Sequence, residues 1–271
     1  MTAMRNVSTA LLTLSLAIFV ASGSLSIAKS QSVPSETGRK QVVVELFTSE
    51  GCSSCPPADA LLQKLRAQQP VGGVEIIAIE EHVDYWNHDG WVDPYSSPEW
   101  TERQQVYASL NRNDAYTPEM VVDGRSQFVG NNEREARLEI EKAARTPKTD
   151  VTIMAKPDAN GSERLTVSVG KLERRNSDDV AEVWVAVTED GLHSAVSRGE
   201  NSGRVLQHIA TLHSLRKIGV ADPRGNAASF TADPVVKISP HWNVENLHVT
   251  VFVQEKRSRE ILGAASTKIK G

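Results

Sequence analysis

A β-branched apolar run, residues 41–48, stops abruptly at Ser49, Glu50 and Gly51. Two cysteines follow, Cys52 and Cys55, and then a pair of prolines, Pro56 and Pro57. A short continuous apolar run of this kind is a buried strand. Ala58, Leu61, Leu62 and Leu65 then recur at helical spacing up to residue 69. The prolines are tolerated only in the first turn of that helix, where no backbone donor is needed. The sequence thus places a Cys-x-x-Cys pair where a strand runs into a helix N-terminus. Those are the only cysteines among 271 residues, so disulfides do not hold this fold together.

The N-terminus bears on what two thiols can do. Residues 1–28 carry no acid and one base, Arg5, followed by an apolar stretch of about eleven residues, short for a bilayer span, and by small residues Ser26 and Ala28. This pattern predicts a secretory signal peptide over 1–28, with a polar flexible leader over 29–40. Export implies a periplasmic or secreted protein in an oxidising compartment, where the two thiols pair. A ring that small adds little stability through loop closure, which favours a chemical role for the bridge. The chain has 30 basic and 34 acidic residues, so no cationic surplus is available for nucleic acid. No membrane association is expected once the signal is removed.

The next elements read as a strand at 74–79, a loop at 80–97 and a helix at 98–111. A hairpin then turns at Asp123 and Gly124, and a helix capped by Asn131 or Asn132 runs to residue 144. The order is βαβαββα over 41–147. From 148 to 271 the pattern changes to alternating or β-branched runs at 151–154, 165–169, 180–187, 247–253 and 261–265, with 204–219 ambiguous between helix and strand. Such runs predict a β-rich, sandwich-like domain. The expected fold is therefore an α/β thioredoxin-like domain followed by an all-β domain.

A Cys-x-x-Cys at a strand-to-helix junction suits disulfide exchange. Free N–H groups and the helix dipole stabilise the Cys52 thiolate, which attacks, and Cys55 resolves the mixed disulfide. In this arrangement Cys52 sits at the helix mouth with its sulfur exposed, and Cys55 lies one turn in. Thr117 and Pro118 open the strand before the hairpin, where thioredoxin-like folds hold a cis-proline facing the disulfide. Thr117 can there pair with an extended substrate. Glu45, seven residues before Cys52 in an apolar strand, is a candidate proton acceptor for Cys55. Thioredoxins place such an acid six residues ahead, so the extra residue leaves its side-chain face open.

Residues 82–116 hold three tryptophans and all four tyrosines. They suit either a substrate-gripping wall, with Trp86 and Trp91 as its candidates, or a long loop held down by its own aromatics. His82 and His88 with a nearby carboxylate raise the thought of a metal site, but their spacing matches no standard ligand pattern. No metal is expected, and no cofactor beyond the redox-active Cys52–Cys55 disulfide. Substrates would be protein or small-molecule disulfides and thiols. Two other functions fit the same residues: a soft-metal (copper) binding protein using the cysteines, with Met120 as nearest extra soft ligand, and a binding module with an inert disulfide.

Several motifs carry a resemblance: L-F-T-S-E-G-C-S-S-C-P-P-A-D at 46–59, H-V-D-Y-W at 82–86, Gly90 with Trp91, Asp93 with Pro94, Y-T-P-E-M-V-V-D-G at 116–124 and G-E-N-S-G-R at 199–204. On these the chain resembles a family of secreted bacterial thioredoxin-like proteins catalogued as a domain of unknown function. The resemblance covers roughly residues 41–267. It implies a thioredoxin-like domain followed by a β-rich domain, and it supplies no substrate. The W-C-G-P-C string of thioredoxins themselves is missing.

Overall fold

The apolar run at 41–48 forms β1 (Lys40–Thr48) in the computed structural model of the protein, which describes residues 1–2, 38–173, 178–224 and 228–269. Apart from residues 1–2, the expected signal peptide lies outside the described residues, as does the leader up to residue 37. Every residue of β1 from Val42 to Thr48 is buried, because both faces of the strand are covered. Val42, Val44 and Leu46 pack on Leu61, Leu62 and Leu65 of α1 (Pro56–Gln68) and on Ala136 and Ile140 of α3 (Glu133–Ala144). Val43 and Phe47 point the other way, toward Trp100 and Tyr107 of α2 (Pro98–Leu110).

β1 pairs in parallel with β2 (Val74–His82), and antiparallel with β3 (Glu119–Val122), which turns into β4 (Ser126–Val129). The turn is built by Asp123 at φ 48° and Gly124 at φ 68°, left-handed conformations that Asp and Gly take readily in hairpin turns. A Cβ on Gly124 would also lie 1.9 Å from the Arg259 carbonyl oxygen. Pro56 and Pro57 occupy the first turn of α1, and the Asn132 side chain caps α3 by accepting from the Glu135 N–H at 3.2 Å.

The second segment contributes β5 (Val151–Asp158), β6 (Ser162–Val169), β7 (Ala181–Glu189), β8 (Leu192–Ala195), β9 (Val205–His208), β10 (Thr211–Val220), β11 (Phe230–Ala232), β12 (Val235–Lys237), β13 (Leu247–Glu255) and β14 (Ile261–Lys268). The ambiguous stretch at 204–219 is strand. Sheet β11-β6-β12, with β5 on β6, lies over one face of β7, β10, β13 and β14. Leu165, Val167 and Val169 meet Val183, Val185, Val249 and Val251 there in an apolar sandwich.

The larger sheet does not stop at the boundary near residue 147. Its order is β14-β13-β7-β10-β2-β1-β3-β4, so strands of both segments share one eight-stranded sheet. The join is narrow: β10 meets β2 at Thr211 opposite Glu80, with the Glu80 N–H donating to the Ala210 carbonyl at 2.9 Å. Residues 80–82, expected to begin a loop, instead complete β2. Glu80, Glu81 and His82 are each fully buried, and charged groups survive there because far-off residues partner them. Among the described residues, no helix is long and apolar enough to cross a membrane.

Candidate functional site

The loop between β1 and α1 carries a Cys52–Cys55 disulfide with Cα atoms 5.4 Å apart. Cys55 is the N-cap residue of α1, and its carbonyl accepts from Ala58 at 2.8 Å and Asp59 at 3.1 Å. The Cys52 sulfur lies 3.3 Å from the Ser54 hydroxyl. Both cysteines have no exposed surface, in contrast to the exposed Cys52 sulfur that a helix-mouth position suggests.

The cover comes from the second segment. The turn between β8 and β9, residues 196–204, lies on the cysteine loop. The buried Asn201 amide donates to the carbonyls of Glu50 and Cys52, each at 2.9 Å, while its oxygen accepts from Arg204 at 2.9 Å. The Glu200 carboxylate accepts from the Ser53 N–H at 3.0 Å, and hydrogen bonding from Ser53 holds its pKa below the ordinary value. One N–H at the helix mouth is thereby taken by a carboxylate.

The aromatic residues flank the same loop. Trp86 donates to the Thr117 hydroxyl at 2.8 Å, and a Cβ on Gly51 would come within 2.9 Å of its own Cβ. Trp91 donates to Glu50 at 2.8 Å and packs on Gly199 of the covering turn. Both tryptophans are part-buried, so they brace the cysteine loop and its cover as well as lining their edge. The Thr117–Pro118 bond is cis. Pro118 approaches the first turn of α1 across Gly130, where an added Cβ would lie 3.2 Å from Ala58 and 3.3 Å from Pro118.

Glu45 is buried, but the extra residue before Cys52 matters. By the two-residue repeat of a strand it shares the face of Val43 and Phe47, opposite α1. Its carboxylate accepts from Arg103 Nε at 2.6 Å and from the Tyr107 hydroxyl at 2.7 Å. Gln254 of β13 completes this knot through Arg103 and Tyr107. The acid on the disulfide's side of the sheet is Asp59, one helical turn beyond Cys55. It accepts from the Thr48 hydroxyl at 2.6 Å. Burial, with repulsion from Glu80 behind it, lifts its pKa to about 7.

Behind Glu50 lies a second buried cluster. His82 Nδ1 is 2.7 Å from Asp93, whose other contacts include the Glu50 N–H at 2.8 Å. His208 Nε2 is 3.0 Å from Glu50 Oε1, and Thr211 donates to Glu80 at 3.1 Å. Burial alone would depress the His208 pKa, yet the Glu80 and Glu50 carboxylates outweigh it and raise it to about 9. Burial works the opposite way on Glu80, and His208 and His82 overcome it to hold the acid at about 2. His88, by contrast, is exposed beside Asp89. Met120 is buried in the apolar cluster with Leu46 and Ala58. The sequence singles out none of Asp59, Glu50, Glu80, His208 and Asn201 as a site residue, and His208 reads there as structural or exposed. The available signals were the polar end of an apolar strand and the G-E-N-S-G-R motif.

Residues 43–254 match the model of a family described as "Protein of unknown function (DUF1223)". The crystal structure of protein AGR_C_4864 from Agrobacterium tumefaciens aligns over 86% of this chain and 98% of its own length, at TM-score 0.61 and 26% identity. HBP35 of Porphyromonas gingivalis aligns over 85% of this chain and 76% of its own, at TM-score 0.58 and 16% identity, a likeness of fold alone. No curated protein matches the chain.

Proposed function

The chain belongs to this DUF1223 family, and we propose that it is an exported thioredoxin-like thiol–disulfide oxidoreductase that uses Cys52 and Cys55. The observation that carries this reading is a disulfide at the strand-to-helix junction, with a cis-proline facing the first turn of the same helix across Gly130. In the reduced form the Cys52 thiolate attacks one sulfur of a substrate disulfide. The substrate S–S bond breaks, one substrate thiolate leaves and takes a proton, and Cys52 is joined to the other sulfur. Cys55 then gives its proton to Asp59, whose buried carboxylate titrates near neutrality. The Cys55 sulfur attacks Cys52, re-forming the protein disulfide and releasing the second substrate thiol. Two electrons pass from the dithiol to the substrate, and the reverse sequence oxidises a dithiol.

Asp59 rather than Glu45 takes the base role in this scheme, because Glu45 is committed to Arg103 and Tyr107. Thr117 and the two tryptophans border the place where a substrate strand would lie, and the 196–204 turn must lift before it can enter. Substrates are protein or small-molecule disulfides and thiols, met in the periplasm or outside the cell.

The test is to trap substrates with Cys55→Ala expressed with its signal segment in a bacterial periplasm. Mixed disulfides at Cys52 are expected, and more of them when Asn201→Ala loosens the cover. The oxidoreductase reading fails if neither form traps a partner and a moderate thiol buffer leaves the wild-type bridge oxidised.

A further inference from the structure

At the narrow join between β2 and β10, three side chains converge in complete burial: Glu80 and His82 from β2, and His208 from the end of β9. One ligand-type atom from each lies within 4.8 Å of the others. Glu80 Oε2 is 3.5 Å from His82 Nε2, and Glu80 Oε1 is 3.4 Å from His208 Nδ1. Both distances are long for hydrogen bonds, which cluster at about 2.9 Å for N–H donors. His82 Nε2 has no hydrogen-bond partner at all, an expensive omission for a fully buried ring nitrogen.

The outward-facing atoms of the same residues are well served. His82 Nδ1 meets Asp93 at 2.7 Å, His208 Nε2 meets Glu50 at 3.0 Å, and Thr211 bonds Glu80 at 3.1 Å. Two imidazoles, each braced by a carboxylate on its far nitrogen and each turning its near nitrogen to the Glu80 carboxylate, are what metal-ligating histidines require. The two spacings to Glu80, 3.5 and 3.4 Å, agree. Bonds of about 2.0–2.1 Å to a tetrahedral ion separate neighbouring ligands by roughly 3.4 Å.

We propose that Glu80, His82 Nε2 and His208 Nδ1 form a site for a divalent cation of the zinc type, with Asp93 and Glu50 orienting the two imidazoles. Two imidazole nitrogens and the two oxygens of Glu80 make four borderline donors, a set that suits zinc better than calcium or magnesium, which take oxygen ligands in larger numbers. Three nearby carboxylates, Glu80, Asp93 and Glu50, supply the negative charge a dication needs where no solvent reaches. The ion would fasten the two segments where their shared sheet is narrowest. Through Glu50 it would also steady the cysteine loop. The cysteines take no part, so this site stands or falls separately from the redox reading.

The test uses the full chain with its disulfide oxidised, stripped of metal by a chelator and then exposed to Zn2+ or Co2+. Elemental analysis after desalting should give one Zn2+ per chain. Co2+ should give the intense visible absorption of a tetrahedral site without a thiolate charge-transfer band. The Cys52→Ser/Cys55→Ser double variant should keep the ion and His208→Ala should lose it. Should His208→Ala fail to fold, Asp93→Asn and Glu50→Gln leave every ligand in place and should weaken binding about 10–100-fold. Failure of the wild-type chain to retain Zn2+, loss of the ion with the cysteines, or unchanged affinity in both Asp93→Asn and Glu50→Gln overturns the proposal.

Discussion

Replacing Asn201 with alanine should expose the disulfide without unfolding the protein. The Asn201 amide makes two hydrogen bonds to the cysteine loop, both 2.9 Å long and both buried. Each bond of this kind contributes about 1 kcal/mol net, so the closed position of the 196–204 turn loses about 2 kcal/mol. At about 1.4 kcal/mol per tenfold, the fraction of time the turn stands open rises roughly thirtyfold. That figure is a floor, because the closed state is left with the buried Glu50 carbonyl lacking a donor, while the Cys52 carbonyl keeps the Cys55 N–H at 3.2 Å. Glu200→Ala removes a single, exposed bond to Ser53 and should raise opening only a few-fold. The assay mixes oxidised protein with dithiothreitol, quenches aliquots with an alkylating agent and counts labelled thiols by mass. Reduction should speed up in the order wild type, Glu200→Ala, Asn201→Ala, with little dependence on dilute urea, since a turn opening locally uncovers little surface. A folded Asn201→Ala protein reduced within twofold of the wild-type rate would show that the 196–204 turn does not guard the disulfide. A urea slope matching global unfolding would show the same.

Arg103→Met should destabilise the protein by about 3–5 kcal/mol in urea melts, because it leaves Glu45 and Glu81 buried without their cation; a loss under 1 kcal/mol would show that the knot contributes little. Glu119, bonded to Gln104 at 2.7 Å, has its pKa lifted by burial from 4.5 to about 7. Below pH 4.5 both folded and unfolded chains hold this proton; between 4.5 and 7 the unfolded chain releases it and the folded one keeps it, so stability from this group falls as pH rises, by about 3 kcal/mol in all. Glu119→Gln, which keeps an acceptor for Gln104, should therefore stabilise the protein at pH 8 relative to pH 4, and equal urea midpoint shifts at the two pH values would contradict this.

Features written in neighbouring residues were legible in the sequence. The β-branched run at 41–48, the apolar spacing of α1 with its paired prolines, the Asp123–Gly124 hairpin and the Asn132 cap each depend on local backbone geometry. Each appears where that geometry puts it. The extra residue before Cys52 announced that the face of Glu45 was open, and its partner Arg103 decided the matter. Other features depended on contacts across the chain. Glu80, Glu81 and His82 look like the start of a solvated loop, because charge normally seeks water. They lie buried because Arg103, Thr211 and His208 reach them from elsewhere.

By itself the sequence determined where the two sulfurs sit: at the end of one strand and the mouth of the helix that follows. Strand periods, turn residues and caps act within a few residues of themselves, and that suffices to place them. That the sulfurs are covered, that Asn201 covers them, and that a histidine from the far segment stands beside His82 follows from contacts between distant parts of the folded chain. Those contacts rest on β10 pairing with β2, which sets His208 at the end of β9 beside His82, and no local pattern in the chain encodes that meeting.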